Sequence, residues 1–260
     1  MKIIKCPAIN GLGKTKGCEL APDAIIKILK QNYQLSESGR LLQYTVEQIP
    51  TDNSNPEQSN KNIHEFLLDN NEIPVILGGD HSITYPAFRA FAKKFQNPGL
   101  VVFDAHPDLV NNFEPPTHED YLRTLIDKDI LNKNNLVLVG LRTWDPKEYE
   151  YLKSNKIKHF TMREIAAEGL HETADAVMSI AHNFGAAYIS IDIDAVDPAF
   201  APATGYPEPA GITSRELLYF LNRLKNLRNL RAFDIVEINP SKDTSEMTVK
   251  LAAKIVSELL

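Results

Sequence analysis

Ionisable residues crowd the ends of four apolar runs in this chain. "VILGGDHS" ends in Asp80 and His81, "LVVFDAHPD" in Asp104, His106 and Asp108, "YISIDIDAVDP" in Asp192, Asp194 and Asp197, and "FDIVEINP" in Asp234 and Glu237. Residues two apart on extended backbone point to the same side, so Asp104, His106 and Asp108 can face one another, as can Asp192 and Asp194. Carboxylates gathered this closely repel, and some must take up protons unless cations neutralise them. The donor set is rich in carboxylate, has imidazoles and lacks thiolate, which suits an octahedral ion such as Mn(II) better than structural zinc. There are more carboxylates than one ion needs, which points to two. Two ions about 3.5–4 Å apart can share a water and bring its pKa toward neutrality, so that hydroxide is available at physiological pH. For Asp80, Asp197 and Asp234 the plainer reading is a helix cap or a solvated loop group, the commoner fate of a lone acid at a strand end.

Such residues meet only if the runs that carry them are neighbours in a sheet. Seven runs read as strands: "KIIKCPAI" (2–9), "IPVILGG" (73–79), "GLVVFDA" (99–105), "NLVLVGL" (135–141), "KIKHF" (156–160), "AAYISIDI" (186–193) and "LRAFDIVEI" (230–238). Amphipathic patterns alternate with them: "PDAIIKILKQ" (22–31), "ITYPAFRAFAKKF" (83–95), "DPKEYEYLKS" (145–154), "ETADAVMSIAHNF" (172–184), "SRELLYFLNRL" (214–224) and "EMTVKLAAKIVSEL" (246–259). Pro22 suits one helix start, and Ser214 with Glu216 another. The polar stretch "TDNSNPEQSN" (51–60) reads as a surface loop. The alternation predicts an α/β fold, a three-layer αβα sandwich with a mostly parallel central sheet. Ligands of such a sheet bind beyond the carboxyl ends of its strands, where all four ionisable groups fall. The whole chain, 1–260, is expected to form one domain.

Composition removes several function classes. The 34 acidic residues outnumber 28 basic ones, giving a net charge of −6 with no basic block to track a phosphate backbone, so nucleic acid is not an expected partner. The N-terminal apolar stretch is broken by Lys5 and Pro7, too short for a membrane span and unlike a signal peptide, so a cytoplasmic protein is expected. Cys6 and Cys18 fit neither a CxxC pair nor a thiolate zinc site and are expected to be reduced thiols.

"GGDHS", "FDAHPD" and "SIDIDAVDPAFAPATGYPEPAG" together resemble the signature motifs of the manganese ureohydrolases, the arginase and agmatinase family. "VEINPSKD" resembles that family's late glutamate motif, and "GCELAPDAI" and "VGLRTWDP" extend the likeness over most of the chain. The resemblance implies two manganese ions, one held by His81, Asp104, Asp108 and Asp192 and the other by Asp104, His106, Asp192 and Asp194. It implies hydrolysis of a guanidinium or amidine to an amine and urea, or formamide for formimino substrates. Asp108 would hydrogen-bond the attacking hydroxide, Asp194 would pass a proton to the departing amine, and Glu237 would bind the guanidinium's planar fork of donors. His118, in "PPTHEDY", stands where the family has a proton-shuttling histidine that also meets the substrate, with Glu119 in place of the usual glycine. A homo-oligomer, trimer or hexamer, is implied as well.

The substrate is expected to be a small guanidino compound, with agmatine preferred. Val110 stands where arginases carry an asparagine that holds a carboxylate, and "ATGYP" replaces the commoner "GTGTP". A cationic tail would call on Glu114, Glu119 or Asp145, and an anionic one on Arg123 or Arg142. Arginase, guanidinobutyrase or guanidinopropionase, and formiminoglutamase remain alternatives. Two rivals come from other classes. A non-catalytic relative could keep the ligands and serve only in assembly. "AINGLGKT" (8–15) also satisfies a permissive phosphate-loop pattern, although the helix that such a loop requires is expected to begin only near Pro22.

Overall fold

In a computed structural model of the protein, which describes residues 2–70 and 74–260, eight strands form a single sheet. In chain order the elements begin β1 (Lys2–Cys6), α1 (Ala21–Asn32), β2 (Thr45–Gln48), α2 (Pro56–Asp69), β3 (Pro74–Gly78) and α3 (Thr84–Lys94). The middle of the chain supplies β4 (Pro98–Phe103), α4 (Tyr121–Asp127), β5 (Leu136–Leu141), α5 (Pro146–Ser154), β6 (Lys158–Thr161) and α6 (Met162–Glu168). The rest comprises α7 (Leu170–His182), β7 (Ala186–Asp192), α8 (Ser214–Leu224), β8 (Leu230–Val236) and α9 (Met247–Leu259). The strand order is β2-β1-β3-β8-β7-β4-β5-β6, and every recorded pairing is parallel, so the sheet is more uniform than expected.

Two cores flank the sheet, and the strands feed them alternately. Val101, Phe103, Ile189 and Ile191 pack with α1, α7, α8 and α9, whereas Leu100, Val102, Leu136 and Leu138 pack with α2, α3, α4 and α5. Strands buried on both faces read as unbroken apolar runs, which is why they were visible in sequence. This is the expected three-layer arrangement. Ile73, the first residue of one predicted strand, lies outside the described residues.

Two local expectations are corrected. The stretch 51–60 is a loop only in its first half: Asn55 accepts a hydrogen bond from Gln58 N and starts α2, whose buried face is limited to Ser59, Ile63, His64 and Leu67. The cap of α8 is Thr213 rather than Ser214; it exchanges hydrogen bonds with Glu216 in a capping box. Strand β2, an exposed four-residue edge, and the seven-residue helices α4 and α6 carry too little periodicity to be read from sequence.

Candidate metal centre and active site

The four strands that carry the ionisable residues, β3, β8, β7 and β4, are the four contiguous central strands of the sheet. His81 lies in the 3-10 turn after β3, Asp104 follows β4 directly, Asp192 ends β7, and Glu237 follows β8. Turns, not extended backbone, bring these side chains together. His106 and Asp108 lie in the turn beyond β4, where Asp108 adopts a left-handed φ of 53°, and Asp194 lies in a 3-10 turn. Local hydrogen bonds set these turns: Asp104 accepts from His106 N at 2.7 Å, Asp192 from Asp194 N at 2.7 Å, and Asp194 from Ala105 N at 3.0 Å. The last of these ties the β4 turn to the β7 turn.

The six side chains do converge. His81 Nδ1 is 3.1 Å from Asp104 Oδ2 and 3.2 Å from both Asp108 Oδ2 and Asp192 Oδ2. His106 Nδ1 is 3.0 Å from Asp194 Oδ2 and 3.6 Å from Asp104 Oδ1. Two groups that could hold a metal ion result, His81–Asp104–Asp192 and Asp104–His106–Asp194, each with its donor atoms within 4.8 Å of one another. Asp104 belongs to both, which makes it the natural bridge. His81 Nδ1 and Asp104 Oδ2 are buried and lack a hydrogen-bond partner of good geometry, although they face each other. An orphaned pair of donor atoms where the Asp104, Asp108 and Asp192 carboxylates meet His81 fits a divalent cation.

Burial and close like charges set the proton affinities of the cluster. Burial works against a charge on His81, but Tyr121 and the carboxylates of Asp104, Asp108 and Asp192 outweigh it and hold the ring well above its ordinary range. Burial likewise opposes charge on His106, yet Asp104 and Asp194 push its pKa up to about 12. Asp104 keeps its charge: burial is overcome by His106 and His81, and its pKa falls below the usual range. Burial and neighbouring carboxylates raise Asp108, Asp192 and Asp194 instead, Asp104 being a charged neighbour of all three. A site that retains so many protons is one that divalent ions would empty of them.

The chain matches the Arginase family over residues 1–260. It belongs to the arginase family. It is 33% identical to the agmatinase of Bacillus subtilis (strain 168) over 220 residues, 82% of this chain and 72% of that one. It is 32% identical to the arginase of Staphylococcus aureus (strain MRSA252) over 212 residues, 74% of this chain and 70% of that one. The crystal structure of formimidoylglutamase from Bacillus subtilis superposes with a TM-score of 0.92 at 26% identity, covering 99% of this chain and 85% of the other. The protein is thus a ureohydrolase, an enzyme of the class that cleaves guanidino or amidino compounds with water.

Behind this arginase-family centre lies a polar row that the sequence reading missed. His81 Nε2 is 2.9 Å from Ser190 Oγ and 2.8 Å from Tyr121 Oη. Ser190 donates to Asp234 at 2.6 Å, so its lone pairs are left to accept His81 Nε2–H, and Nδ1 turns to the carboxylates. Asp234 also accepts from Thr84 and Tyr188 and is fully buried, neither the cap nor the solvated loop group expected. The only sequence signal was a serine inside an apolar strand, two residues before Asp192. Asp80 does cap the turn that carries His81, through Ser82 N, and Asp197 accepts from Ala199 N and Gly211 N in its loop.

Glu237, His118 and Asp145 line one cavity of about 280 Å³ with the six clustered side chains, whereas Glu114, Arg123 and Arg142 lie outside its lining. Glu237, at a left-handed φ of 65°, accepts from His81 N at 2.9 Å; burial, Asp192 and Asp80 raise its pKa well above the ordinary value. His118 is buried, and neither ring nitrogen has a hydrogen-bond partner. Asp145 reaches the cavity wall, but its carboxylate accepts from Lys147 N and caps α5 in a capping box with Glu148. Glu208, unpredicted, stands 3.8 Å from His106 Nε2. Trp144 stacks on Tyr149 and lies outside the cavity lining. The phosphate-loop reading fails: no helix starts at Lys14–Thr15, and Thr15 donates to Asp80, a carboxylate standing where a phosphate would have to sit.

Proposed function

We propose that the protein is an agmatinase-type hydrolase holding two manganese ions, which splits a guanidino compound with a cationic tail into urea and an amine. One observation carries the choice of tail. Among the described residues, the cavity lining contains no lysine or arginine but does contain Glu119, Asp145 and Glu148 beyond the ligands. The two arginines that could have met a carboxylate are committed elsewhere. Arg142 donates to the carbonyls of Gly140, Asp194, Ala195, Glu208 and Pro209. Arg123 lies over the Tyr151 ring and donates to the carbonyl of Val110. A carboxylate tail would therefore meet acids, whereas an ammonium would meet Glu119; Asp145 and Glu148 are engaged in the α5 capping box. Agmatine, arginine-derived and with an amine at its end, has this form.

Bound by the two ligand groups, the ions would lower the pKa of water and supply hydroxide near neutral pH. Asp108 would orient the nucleophile by accepting its hydrogen bond. Glu237, fixed by His81 N, receives the guanidinium N–H groups opposite. Asp194 would take the proton of the attacking hydroxide and pass it to the departing amine, and His118, whose ring nitrogens have no hydrogen-bond partner, would relay protons to and from the cavity. A cytoplasmic homo-oligomer, trimer or hexamer, of one domain per chain goes with this reading; no described helix is long and apolar enough to cross a membrane.

A second reading, a carboxylate-tailed substrate, draws on Lys14, whose ammonium stands near the mouth, 3.6 Å from Glu119 Oε1. The test is urea and amine release by manganese-loaded protein across agmatine, arginine, guanidinobutyrate and guanidinopropionate, with formamide release from formiminoglutamate. Agmatine should give the highest kcat/KM; leadership by a carboxylate-tailed compound overturns the proposal.

A further inference from the structure

Three segments far apart in sequence meet over the cavity mouth at a single oxygen atom. Glu119 Oε1 accepts from Tyr206 Oη at 2.8 Å, lies 3.6 Å from Lys14 Nζ and 3.5 Å from His118 Nε2. Lys14 Nζ also stands 5.1 Å from the centroid of the Tyr206 ring. The same ring stacks on His118, 5.9 Å away and 21° off parallel, and meets the metal-cluster ring of His106 edge-on at 5.9 Å. An aromatic face beside a carboxylate is the chemistry that recognises an ammonium, by cation–π attraction and charge pairing together. Here that place is held by an ammonium, the one belonging to Lys14.

The construction is deliberate on the wall side and loose on the lysine side. Glu119 and Tyr206 both line the cavity with the ligand cluster, whereas the Lys14 side chain is 58% exposed and is absent from the lining. The Lys14 loop is pinned at its base, where Asp80 accepts from Thr15 Oγ1 at 2.8 Å and from Asn10 N at 2.6 Å. The side chain itself can swing into water at little cost. The other carboxylates named for a cationic tail are spent: Glu114 pairs with Lys128 and is not part of the lining, and Asp145 caps α5.

We propose that Tyr206 and Glu119 form an ammonium subsite, filled by Lys14 in the free enzyme and taken over by the terminal amine of the substrate. Glu119 and Tyr206 are then specificity-determining residues, and Lys14 is a built-in competitor that admits only a tail able to replace it. The proposal rests on the cationic-tail reading and adds to it the place where the tail ends. Tyr206 spans from the His106 ring to the Lys14 ammonium, so a guanidinium at the cluster and an amine at the subsite are joined across one aromatic ring.

The test compares agmatine with butylguanidine, which has the same chain and no charge at its end, in Lys14→Ala, Glu119→Gln and Tyr206→Phe variants. Glu119→Gln should raise KM for agmatine about fivefold relative to butylguanidine, the size expected of a half-exposed ion pair with a ring contact. Lys14→Ala should shift the ratio the other way by removing the competitor. Binding calorimetry with both ligands supplies the same comparison where turnover falls too low to measure. If Lys14→Ala weakens agmatine, or Glu119→Gln affects both ligands equally while agmatine stays the best substrate, the subsite is wrong and the cationic-tail reading survives. If guanidinobutyrate is the best substrate and Lys14→Ala weakens it, Lys14 is an anion anchor and both fall.

Discussion

Replacing Asp104 by asparagine keeps the side chain's shape and removes one negative charge from the point shared by both ligand groups. That charge faces His81 Nδ1 at 3.1 Å and His106 Nδ1 at 3.6 Å, so a cation seated with either ring lies within a few ångströms of it. At an effective dielectric constant of about 20, two unit charges about 4 Å apart attract by about 4 kcal/mol, and a divalent ion doubles this. Desolvation offsets much of the gain; even if only a third remained, each site would weaken by roughly a hundredfold, about 3 kcal/mol. Asp104→Asn should therefore fail to retain either ion through gel filtration, as read by elemental analysis, while circular dichroism shows an intact fold. Turnover should disappear with the metal. Two retained ions and near-normal turnover would refute a shared ligand at this position and, with it, the dinuclear centre.

Two further outcomes follow from the same geometry. Glu237→Gln should leave metal content unchanged and raise KM roughly tenfold or more, because a charge-assisted hydrogen bond to the guanidinium is lost, whereas unchanged kinetics would remove Glu237 from the site. The metal-free protein should lose stability as pH rises. The folded-state pKa of His106 is pushed up to about 12, above its unfolded value, so its contribution is complete below pH of about 6.5 and fades as pH climbs toward 12. The raised carboxylates Asp108, Asp192 and Asp194 change stability in the same direction, at up to about 1.4 kcal/mol per pH unit for each proton retained. Thermal melts of chelated protein between pH 6 and 9 measure this; a melting temperature that rises with pH would contradict the proton-held cluster.

How much of this was legible in sequence depended on burial and on partners. Strands β3, β4, β5, β7 and β8 were readable because both faces are covered, so almost every position is apolar. Helix α2 was hidden because most of its residues face water, and Asn, Gln and Ser there look like loop. The convergence of the six candidate ligands was legible through residue type and motif, yet turns, not extended backbone, bring them together. Ser190, Tyr121 and Asp234 could not be assigned, since a serine or tyrosine acquires meaning only from the imidazole it touches. Glu119 and Tyr206 were visible as departures from the family pattern, but their contact across 87 residues of sequence was not.

The position of β8 has a consequence for completing the centre. It is the last strand in the sequence, yet it sits between β3 and β7, so without it the sheet is two separate pieces, β2-β1-β3 and β7-β4-β5-β6. His81 belongs to the first piece; Asp104, His106, Asp192 and Asp194 belong to the second. The Asp104–His106–Asp194 group therefore lies within one piece, whereas the group that needs His81 spans both and is complete only with residues 230–236 in the gap. Full cation loading of these two groups would thus report that β8 is seated between β3 and β7.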